Sequence, residues 1–379
     1  MIDKKNKKVI IGLSGGVDSS VAAKILIDEG YEVEGMFMRN WDSFLNNDIK
    51  GNPNDITDIC PQEKDYNDAV EVAKALNIKL HRIDFVKEYW DYVFTYFLDE
   101  YKKGRTPNPD VMCNRYIKFD FFKKKAMELG ADYIAMGHFA RIKVIDGITH
   151  LYKGKDSNKD QSYFLAMTQR EKLDNALFPV GNMTKSEVRE IAKSLNLVTA
   201  NKKDSTGICF IGERHFNEFL SNYLPAKEGK IVSLDGKILG KHYGLMNYTI
   251  GQRKGIGIGG LNDLEKLPWF VVGKDLEKNE LIVGQGADNE LLFSDECIIE
   301  DLNLINPLKS TNLYAKFRYR QIDNPINIEL LENNEARITY NHIKSVTPGQ
   351  ILVLYDEDGE CFGGGIIKEV FYKGEKRKY

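Results

Sequence analysis

The fold is decided by residues 9–20, VIIGLSGGVDSS, where an apolar run meets a double glycine and then a polar run. The apolar residues 9–13 predict a buried strand. The segment that begins at Asp18 predicts an amphipathic helix, because acidic and hydroxyl side chains favour a helix start. Gly15 and Gly16 permit a tight turn and let a ligand approach the backbone closely. Strand, turn and helix in this order predict the first unit of a parallel α/β sheet.

The same alternation continues along the first half of the chain. Further strands are predicted at residues 32–38, 79–84 and 133–136, and helices at residues 68–76, 88–101 and 118–129. Strands that alternate with helices predict a doubly wound parallel sheet over residues 1–214. The Gly-rich residues 215–285 have little helical periodicity and predict a small central β-rich domain. Short strands separated by turns predict a C-terminal β-barrel over residues 286–379.

Composition limits the class of protein. The chain has 379 residues, of which 42% are hydrophobic, and its 53 basic and 56 acidic side chains give a net charge of -3. This excludes disordered and collagen-like chains. No apolar run reaches the roughly 18 residues that span a bilayer, so we expect no membrane association. Five cysteines and no export signal predict a cytoplasmic protein. A nucleic-acid partner needs only a local basic surface and is compatible with this charge.

The glycine turn predicts a phosphate site. The N–H groups at a helix start attract anions, and Ser14 and Ser19 add hydroxyl donors. The alternative is a plain turn in which Asp18 caps the helix. The lysine-containing loop of ordinary kinases and GTPases is absent, so that class is disfavoured. Residues 255–260 match G-x-G-x-x-G, but they follow a polar stretch instead of a strand and do not predict a dinucleotide site.

Two cysteines lie in stretches rich in turn-forming residues. Cys113 lies in TPNPDVMCN and Cys209 in DSTGICFIG, so both are predicted in loops. Asp110 could relay a proton near Cys113, and Arg115 could lower the pKa of its thiol. The alternative is that each cysteine is a small buried apolar residue. No C-x-x-C motif occurs and the six histidines are scattered, so no metal-ligating residues are predicted.

The motifs together resemble a known family. The SGGVDSS loop is similar to that of the N-type ATP pyrophosphatases, which adenylate a carbonyl oxygen and release pyrophosphate. With TPNPDVMCN, MGHFA, KDQSYFL, DSTGICFIG, YTIGQRKGIGIGG and RYRQ, the chain resembles the bacterial tRNA-specific 2-thiouridylases from Gly12 to Gln350. That resemblance implies ATP-dependent replacement of oxygen by sulfur at C2 of the wobble uridine. The substrates implied are the tRNAs for lysine, glutamate and glutamine.

The resemblance also implies binding residues. For ATP and Mg²⁺ they are Gly12, Leu13, Ser14, Gly15, Gly16, Val17, Asp18, Ser19, Met38 and Gly137. For the target base they are Asn108, Pro109 and Asp110, and for other parts of the tRNA His138, Lys159, Asp160, Gln161, Arg318, Tyr319 and Gln350. A strand is predicted over residues 313–319, so alternation would place Arg318 on the opposite face from Tyr319.

Three residues are implied to be catalytic. Cys209 would carry a persulfide, and Cys113 would attack it and form a disulfide with Cys209. Asp110 would transfer protons. The implied partners are the anticodon stem-loop of tRNA and a persulfide donor, either a cysteine desulfurase or a sulfur-relay protein.

Two other functions compete with this one. The first is an ATP pyrophosphatase that acts on a small metabolite with ammonia, which the two loop cysteines and the predicted barrel disfavour. The second is a nucleotide-sensing RNA-binding protein without turnover, in which the cysteines form a regulatory disulfide.

Overall fold

A parallel sheet forms the first layer of the molecule. The computed structural model describes residues 6–43, 45, 46, 48, 61–203, 216–258 and 267–378. The first strands are β1 (Lys8–Gly12), β2 (Glu32–Arg39), β3 (Leu80–Asp84), β4 (Tyr133–Ala135), β5 (Ala140–Ile145), β6 (Ile148–Lys153) and β7 (Ala176–Leu177). Five of them pair in the order β3-β2-β1-β4-β7, all parallel. The predicted doubly wound sheet is therefore confirmed.

Helices cover both faces of this sheet. They are α1 (Val17–Asp28), α2 (Pro61–Ala75), α3 (Val86–Tyr89), α4 (Thr95–Lys102), α5 (Pro109–Met112), α6 (Lys123–Glu128), α7 (Arg170–Leu173), α8 (Lys185–Ser194) and α9 (Phe216–Leu220). Side chains alternate along β1, so Val9 and Ile11 pack with residues of α1, α2 and α8. Ile10 points the other way, into a core that includes Phe97 and Phe119.

Two of the helices are longer than predicted because π-helical segments join their parts. Residues Trp90–Phe94 connect α3 to α4, and residues Cys113–Phe122 connect α5 to α6. The loop predicted around Cys113 is therefore wrong, since a helix begins at Pro109. Asn108 caps it by accepting a hydrogen bond from the N–H of Val111, and a proline at the first helical position favours this start.

The central region is a small mixed sheet that has both antiparallel and parallel strand pairs. Its strands are β8 (Glu228–Ser233), β9 (Ile238–Tyr243), β10 (Trp269–Asp275) and β11 (Glu280–Gln285), in the order β10-β11-β8-β9. Ile231, Val271 and Leu281 belong to its own hydrophobic core. The prediction of a central β-rich domain is confirmed.

The last region is a closed barrel. Its strands are β12 (Phe293–Leu304), β13 (Asn312–Lys316), β14 (Asn324–Leu330), β15 (Ala336–Lys344), β16 (Ile351–Tyr355) and β17 (Glu360–Tyr372), and β18 (Glu375–Lys376) pairs with β17. The order β12-β15-β14-β13-β16-β17 closes through pairing of β12 with β17. The predicted barrel is confirmed. The predicted strand over residues 313–319 is too long, because β13 ends at Lys316.

A hairpin from the first region extends the barrel. Strands β5 and β6 pair with each other, and Leu151 of β6 lies opposite Cys361 of β17. Beside this junction, the buried carboxylate of Glu360 accepts hydrogen bonds from His150 Nδ1 at 2.6 Å and Lys309 Nζ at 2.6 Å. The pairing and the ionic contact join the barrel to the β5–β6 hairpin of the first region.

Among the described helices, none has both the length and the apolar character needed to cross a bilayer.

Candidate nucleotide and thiol site

The predicted phosphate loop lies at the carboxyl end of the parallel sheet, between β1 and α1. Gly16 occupies the N-cap of α1, so the alternative in which Asp18 caps the helix is wrong. Because glycine has no side chain, it leaves the first-turn N–H groups open to an anion. Gly15 has a φ of +70°, and a Cβ there would overlap the carbonyl of Asp65. Residue 15 must therefore adopt a positive φ and have no Cβ, and only glycine does both without strain.

Hydroxyl groups fix the shape of this loop. Ser19 Oγ donates to the carbonyl of Gly16 at 3.1 Å and accepts a hydrogen bond from the N–H of Ser14 at 3.3 Å. The hydroxyls of Ser14 and Ser19 lie 3.2 Å apart. The loop is thus held in place before any ligand binds.

Residues from three neighbouring strands meet beside the loop. A Cβ on Gly137, which follows β4, would lie 2.7 Å from the backbone nitrogen of Ser19. A Cβ on Gly12 would lie 2.7 Å from Met136 Sδ and 3.7 Å from the terminal methyl of Met38. The structure therefore brings together the loop, Met38 and Gly137, which were predicted from distant parts of the sequence. Their contact with ATP stays a prediction.

Two lysines that sequence reasoning missed also lie at this loop. Lys185 Nζ is 2.5 Å from Asp18 Oδ1. Lys202 Nζ donates to the carbonyl of Gly15 at 2.9 Å and to Asp65 at 2.8 Å. Both lysines are far from residues 9–20 in sequence, so no local motif connects them to the loop.

The residues described fit ATP with Mg²⁺. Glycine positions that a side chain would fill and an open helix start suit a phosphate chain. Asp18 supplies one carboxylate, and Mg²⁺ in nucleotide sites commonly uses one or two carboxylates together with phosphate oxygens. Within the described residues, no group of three or more His, Cys, Asp or Glu side chains could hold a metal without such a substrate.

Cys113 lies in the core and not on a loop. Its residue is 6% exposed, at the junction between α5 and the π-helical segment. Asp110 lies one turn earlier, and burial raises the pKa of its carboxyl to about 6, against the opposing charge of Lys118. A carboxyl with a pKa near neutrality can exchange protons at physiological pH. Arg115 hydrogen-bonds through both terminal nitrogens to Asp301 of β12, so the structure does not support its expected role at the thiol.

Several buried polar atoms lie in the Cys113–Phe122 segment or against it. Asn114 Nδ2 donates to the carbonyls of Asp110 and Phe164, each at 3.1 Å, while its buried Oδ1 has no hydrogen-bond partner. His138 is buried with its Nε2 3.4 Å from Lys118 Nζ, and its Nδ1 has no hydrogen-bond partner. Burial and the charge of Lys118 lower the pKa of His138 well below its ordinary value, so its ring is neutral. Buried polar atoms without hydrogen-bond partners are costly, and such atoms often have a catalytic role or bind a water molecule or an ion.

Cys209 and the whole of residues 204–215 lie outside the described residues. Its approach to Cys113 therefore stays a prediction. The described cysteines Cys297 and Cys361 are fully buried strand residues. Burial raises the pKa of both thiols, to about 12 for Cys361, which makes either a poor nucleophile.

Three residues that follow β6 are predicted to contact tRNA, and two of them accept hydrogen bonds from backbone N–H groups. Asp160 is 3% exposed, and its Oδ1 accepts hydrogen bonds from the N–H groups of Gly154 and Ser162. Gln161 Oε1 accepts a hydrogen bond from the N–H of Phe139 at 2.9 Å, and Lys159 lies in the same turn. Contact of these three residues with tRNA stays a prediction.

The predicted tRNA residues of the barrel lie where the barrel contacts the other two regions. Arg318 lies in a bend and Tyr319 in a turn, so the predicted strand alternation between them is wrong. Arg318 Nη2 donates to the carbonyls of Ile250 at 3.0 Å and Ser345 at 2.7 Å, joining the central sheet to the barrel. Tyr319 packs against Phe164, with ring centroids 4.4 Å apart.

Gln350 continues this connection to the segment before α5. Its Nε2 donates to the carbonyl of Thr106 at 2.8 Å, and Asn108 and Pro109 follow two and three residues later in the chain. The structure therefore brings Gln350 to the same segment as Asn108, Pro109 and Asp110, a proximity that no sequence spacing indicated.

Comparison with family models and curated proteins covers almost the whole chain. Three models match, described as a tRNA methyl transferase HUP domain over residues 7–213, a tRNA methyl transferase PRC-barrel domain over residues 217–285 and an aminomethyltransferase beta-barrel domain over residues 294–367. A protein of Acholeplasma laidlawii is 56% identical over 374 residues, covering 98% of this chain and 99% of the relative.

Two further relatives show the same extent of similarity. One from Metamycoplasma arthritidis is 56% identical over 376 residues, covering 98% of this chain and 99% of the relative. One from Bacillus cytotoxicus is 51% identical over 376 residues, covering 98% of this chain and 97% of the relative. All three relatives carry the name tRNA-specific 2-thiouridylase MnmA.

Proposed function

The chain belongs to the tRNA-specific 2-thiouridylase family, and we propose that it replaces oxygen by sulfur at C2 of the wobble uridine in the tRNAs for lysine, glutamate and glutamine. The observation that carries the proposal is the identity of 51–56% over nearly the full length of the relatives. The activity is that of a tRNA-uridine 2-sulfurtransferase. We place it in the cytoplasm, with the anticodon stem-loop as the part of the tRNA that is bound.

The first step that we propose is activation of the uridine by ATP. The C2 oxygen attacks the α-phosphorus of ATP, and pyrophosphate leaves. Residues 12–19, Met38 and Gly137 would hold the nucleotide so that the α-phosphorus faces the target base. The open N–H groups of α1 would stabilise the phosphate charge. Asp18 would hold Mg²⁺ there, and the ion would supply positive charge that makes pyrophosphate a better leaving group.

The second step is sulfur transfer. The Cys113 thiolate attacks the inner sulfur of a Cys209 persulfide, which forms a Cys113–Cys209 disulfide and releases hydrosulfide. Hydrosulfide adds to the adenylated C2, and AMP leaves with the former C2 oxygen. Direct attack by the persulfide on C2 is the other route consistent with the same thiols. A reductant must then reopen the disulfide, and a cysteine desulfurase or relay protein must reload Cys209.

The region around Cys113 supports a proton-transfer role for Asp110. Its carboxyl has a pKa of about 6, so a large fraction is ionised and able to accept a proton at neutral pH. Asn108 and Pro109 would contact the target base beside it. The contacts of Arg318, Tyr319 and Gln350 support a role in which the barrel aligns tRNA with this segment.

Each of the three regions of the chain would have its own role in this reaction. Residues 1–214 would activate the base and transfer sulfur, while residues 215–285 and residues 286–379 would bind tRNA. Binding would rest on His138, Lys159, Asp160 and Gln161 near the target base as well as on the barrel residues.

The proposal is tested by mass spectrometry of tRNA nucleosides. The protein is incubated with ATP, Mg²⁺, a persulfide donor and unmodified lysine tRNA, and the tRNA is then digested. We expect 2-thiouridine to appear only when ATP and the donor are both present. AMP release without thiolation would contradict the substrate assignment. Binding of tRNA with neither product would favour an RNA-binding protein without turnover.

A further inference from the structure

The phosphate loop has no cation of its own. Residues 12–20 contain Asp18 but no lysine or arginine, although ATP brings several negative charges to the site. Backbone N–H groups carry only partial charges, so phosphate sites usually add a lysine or arginine. A cation from another part of the chain is therefore expected at this loop.

Lys185 has the position that such a cation requires. Its ammonium is 2.5 Å from Asp18 Oδ1, in the first turn of α1. The same ammonium lies 5.8 Å from the centre of the Phe139 ring, two residues beyond Gly137. The Gly137 backbone in turn lies against Ser19, so Lys185 lies beside the start of α1, where the proposed phosphate site is formed. Its side chain is 12% exposed, which strengthens its charge interactions.

The backbone around Lys185 is fixed. Lys185 is the first residue of α8, and Thr184 and Glu187 form a reciprocal capping box at this helix start. The N–H of Lys185 donates to Asp156 Oδ2 at 2.9 Å. A fixed backbone with a flexible four-carbon side chain lets the ammonium change partners without movement of the helix.

Lys202, the second lysine at the loop, has a structural role. Its ammonium donates to the carbonyl of Gly15, to Asp65 at 2.8 Å and to Asp68 at 2.5 Å. These acceptors use all three donors of a lysine ammonium. Lys202 therefore fastens the loop to α2 and is a structural residue.

We propose that Lys185 is a phosphate-binding residue, whose ammonium binds the pyrophosphate part of ATP in place of Asp18. The inference rests on the proposed function, because it takes the ligand of the loop to be ATP. It makes Lys185 the counterpart of the lysine that other phosphate loops carry within the loop itself. The exchange leaves the Asp18 carboxylate available to a cation that accompanies the nucleotide.

The test compares ligands with and without the pyrophosphate part. Calorimetry on the full chain measures binding of α,β-methylene ATP, which cannot be split to AMP, and of AMP. We expect Lys185→Met to weaken analogue binding by about 10-fold or more, since a charge-assisted hydrogen bond is lost. Binding of AMP should change by less than about 2-fold. Lys185→Arg should restore most of the analogue affinity, because it keeps the charge.

A matched control lies on the same helix. Lys193 is exposed in the last turn of α8, and Lys193→Met should bind both ligands as the unchanged protein does. Equal analogue binding by Lys185→Met and the unchanged protein would overturn the inference and leave the proposed function standing. Equal loss of analogue and AMP affinity would also overturn it, by showing a structural role. Failure of the unchanged protein to bind the analogue would instead contradict the proposed function.

Discussion

The phosphate loop and the Cys113 segment both belong to the first region of the chain, but they are built in opposite ways. The loop uses backbone, with Gly16 at the N-cap of α1 and Gly137 against Ser19, so that no side chain from either position covers the helix start. The Cys113 segment is a helix in which the buried Asn114 leaves its Oδ1 without a hydrogen-bond partner. We propose that the loop binds phosphate charge with fixed backbone dipoles, whereas the Cys113 segment holds the groups that transfer sulfur and protons. We therefore expect substitutions to separate binding from chemistry.

The largest separation is expected from the thiol. Cys113→Ser should reduce thiolation by on the order of 1,000-fold or more, because a hydroxyl cannot replace the thiolate as nucleophile. Affinity for α,β-methylene ATP should be unchanged. Thiolation is measured from tRNA nucleosides and binding by calorimetry. Cys297→Ala, at a buried cysteine in β12, is the control and should keep its activity. Activity of Cys113→Ser within about 10-fold of the unchanged protein would show that the thiol is not the nucleophile.

The next effect is expected from the neighbouring carboxyl. Asp110→Asn should slow thiolation by about 100-fold, the usual size of a lost proton-transfer group. The unchanged protein should gain activity as pH rises through about 6, where Asp110 ionises. The variant should lose that rise. A pH-rate profile of both proteins measures it, and an unchanged rise in Asp110→Asn would assign the titration to another group.

The same substitution should stabilise the fold. Burial raises the pKa of Asp110 from 3.8 to about 6, so the folded state holds a proton that the unfolded state releases between those values. Stability therefore falls as pH rises through this range. Asp110→Asn removes this cost and should raise the free energy of unfolding by about 1–2 kcal/mol at pH 7. Denaturant titrations at pH 4 and pH 7 test the sign, with Asp99→Asn, at a half-exposed residue of α4, as the control.

A smaller effect is expected when the glycine contact is changed. Gly137→Ala places a Cβ 2.7 Å from the nitrogen of Ser19, so the start of α1 must shift. Affinity for α,β-methylene ATP should fall by about 10-fold, since the N–H groups lose their alignment. Gly240→Ala is the control, because its nearest neighbour would be 3.8 Å away. Unchanged affinity in Gly137→Ala would show that this contact does not shape the nucleotide site.

The smallest effect is expected at the barrel junction, which belongs to neither the phosphate loop nor the Cys113 segment. Burial alone would raise the pKa of Glu360, but hydrogen bonds from Lys309 and His150 lower it. Stability from this group is therefore lost as pH falls through the lowered pKa. Glu360→Gln should cost about 1–2 kcal/mol in the free energy of unfolding at neutral pH and should flatten that acid-side loss. Nucleotide binding and the pKa of Asp110 should not change. A shift in either one would show that the barrel junction controls the site.

The sequence predicted the phosphate loop better than the thiol segment for a physical reason. Glycine spacing and the order of strand and helix are local, so residues 9–20 predicted their own geometry. The helix start at Pro109 also had a local signal in Asn108 and Pro109, but the two prolines were interpreted as a loop. By contrast, the contacts of Lys185 with Asp18 and of Gln350 with Thr106 depend on how distant segments fold together. No spacing within the sequence encodes such contacts.

The barrel shows the same limit. Its short strands were visible in the sequence, but the end of β13 at Lys316 was not, and this placed Arg318 in a bend instead of a strand. The pairing of β6 with β17 joins parts of the chain more than 200 residues apart. The sequence predicted the three regions, but the contacts between them could be identified only from the structure.

The central claim is that ATP activates the C2 oxygen of the uridine before sulfur replaces it, and isotopic labelling of that oxygen tests it most directly. Lysine tRNA with ¹⁸O at C2 of the wobble uridine is thiolated with ATP and a persulfide donor, and the AMP is weighed. The account predicts one ¹⁸O in AMP for each 2-thiouridine formed, and none in pyrophosphate. AMP without ¹⁸O, alongside normal thiolation, would contradict it.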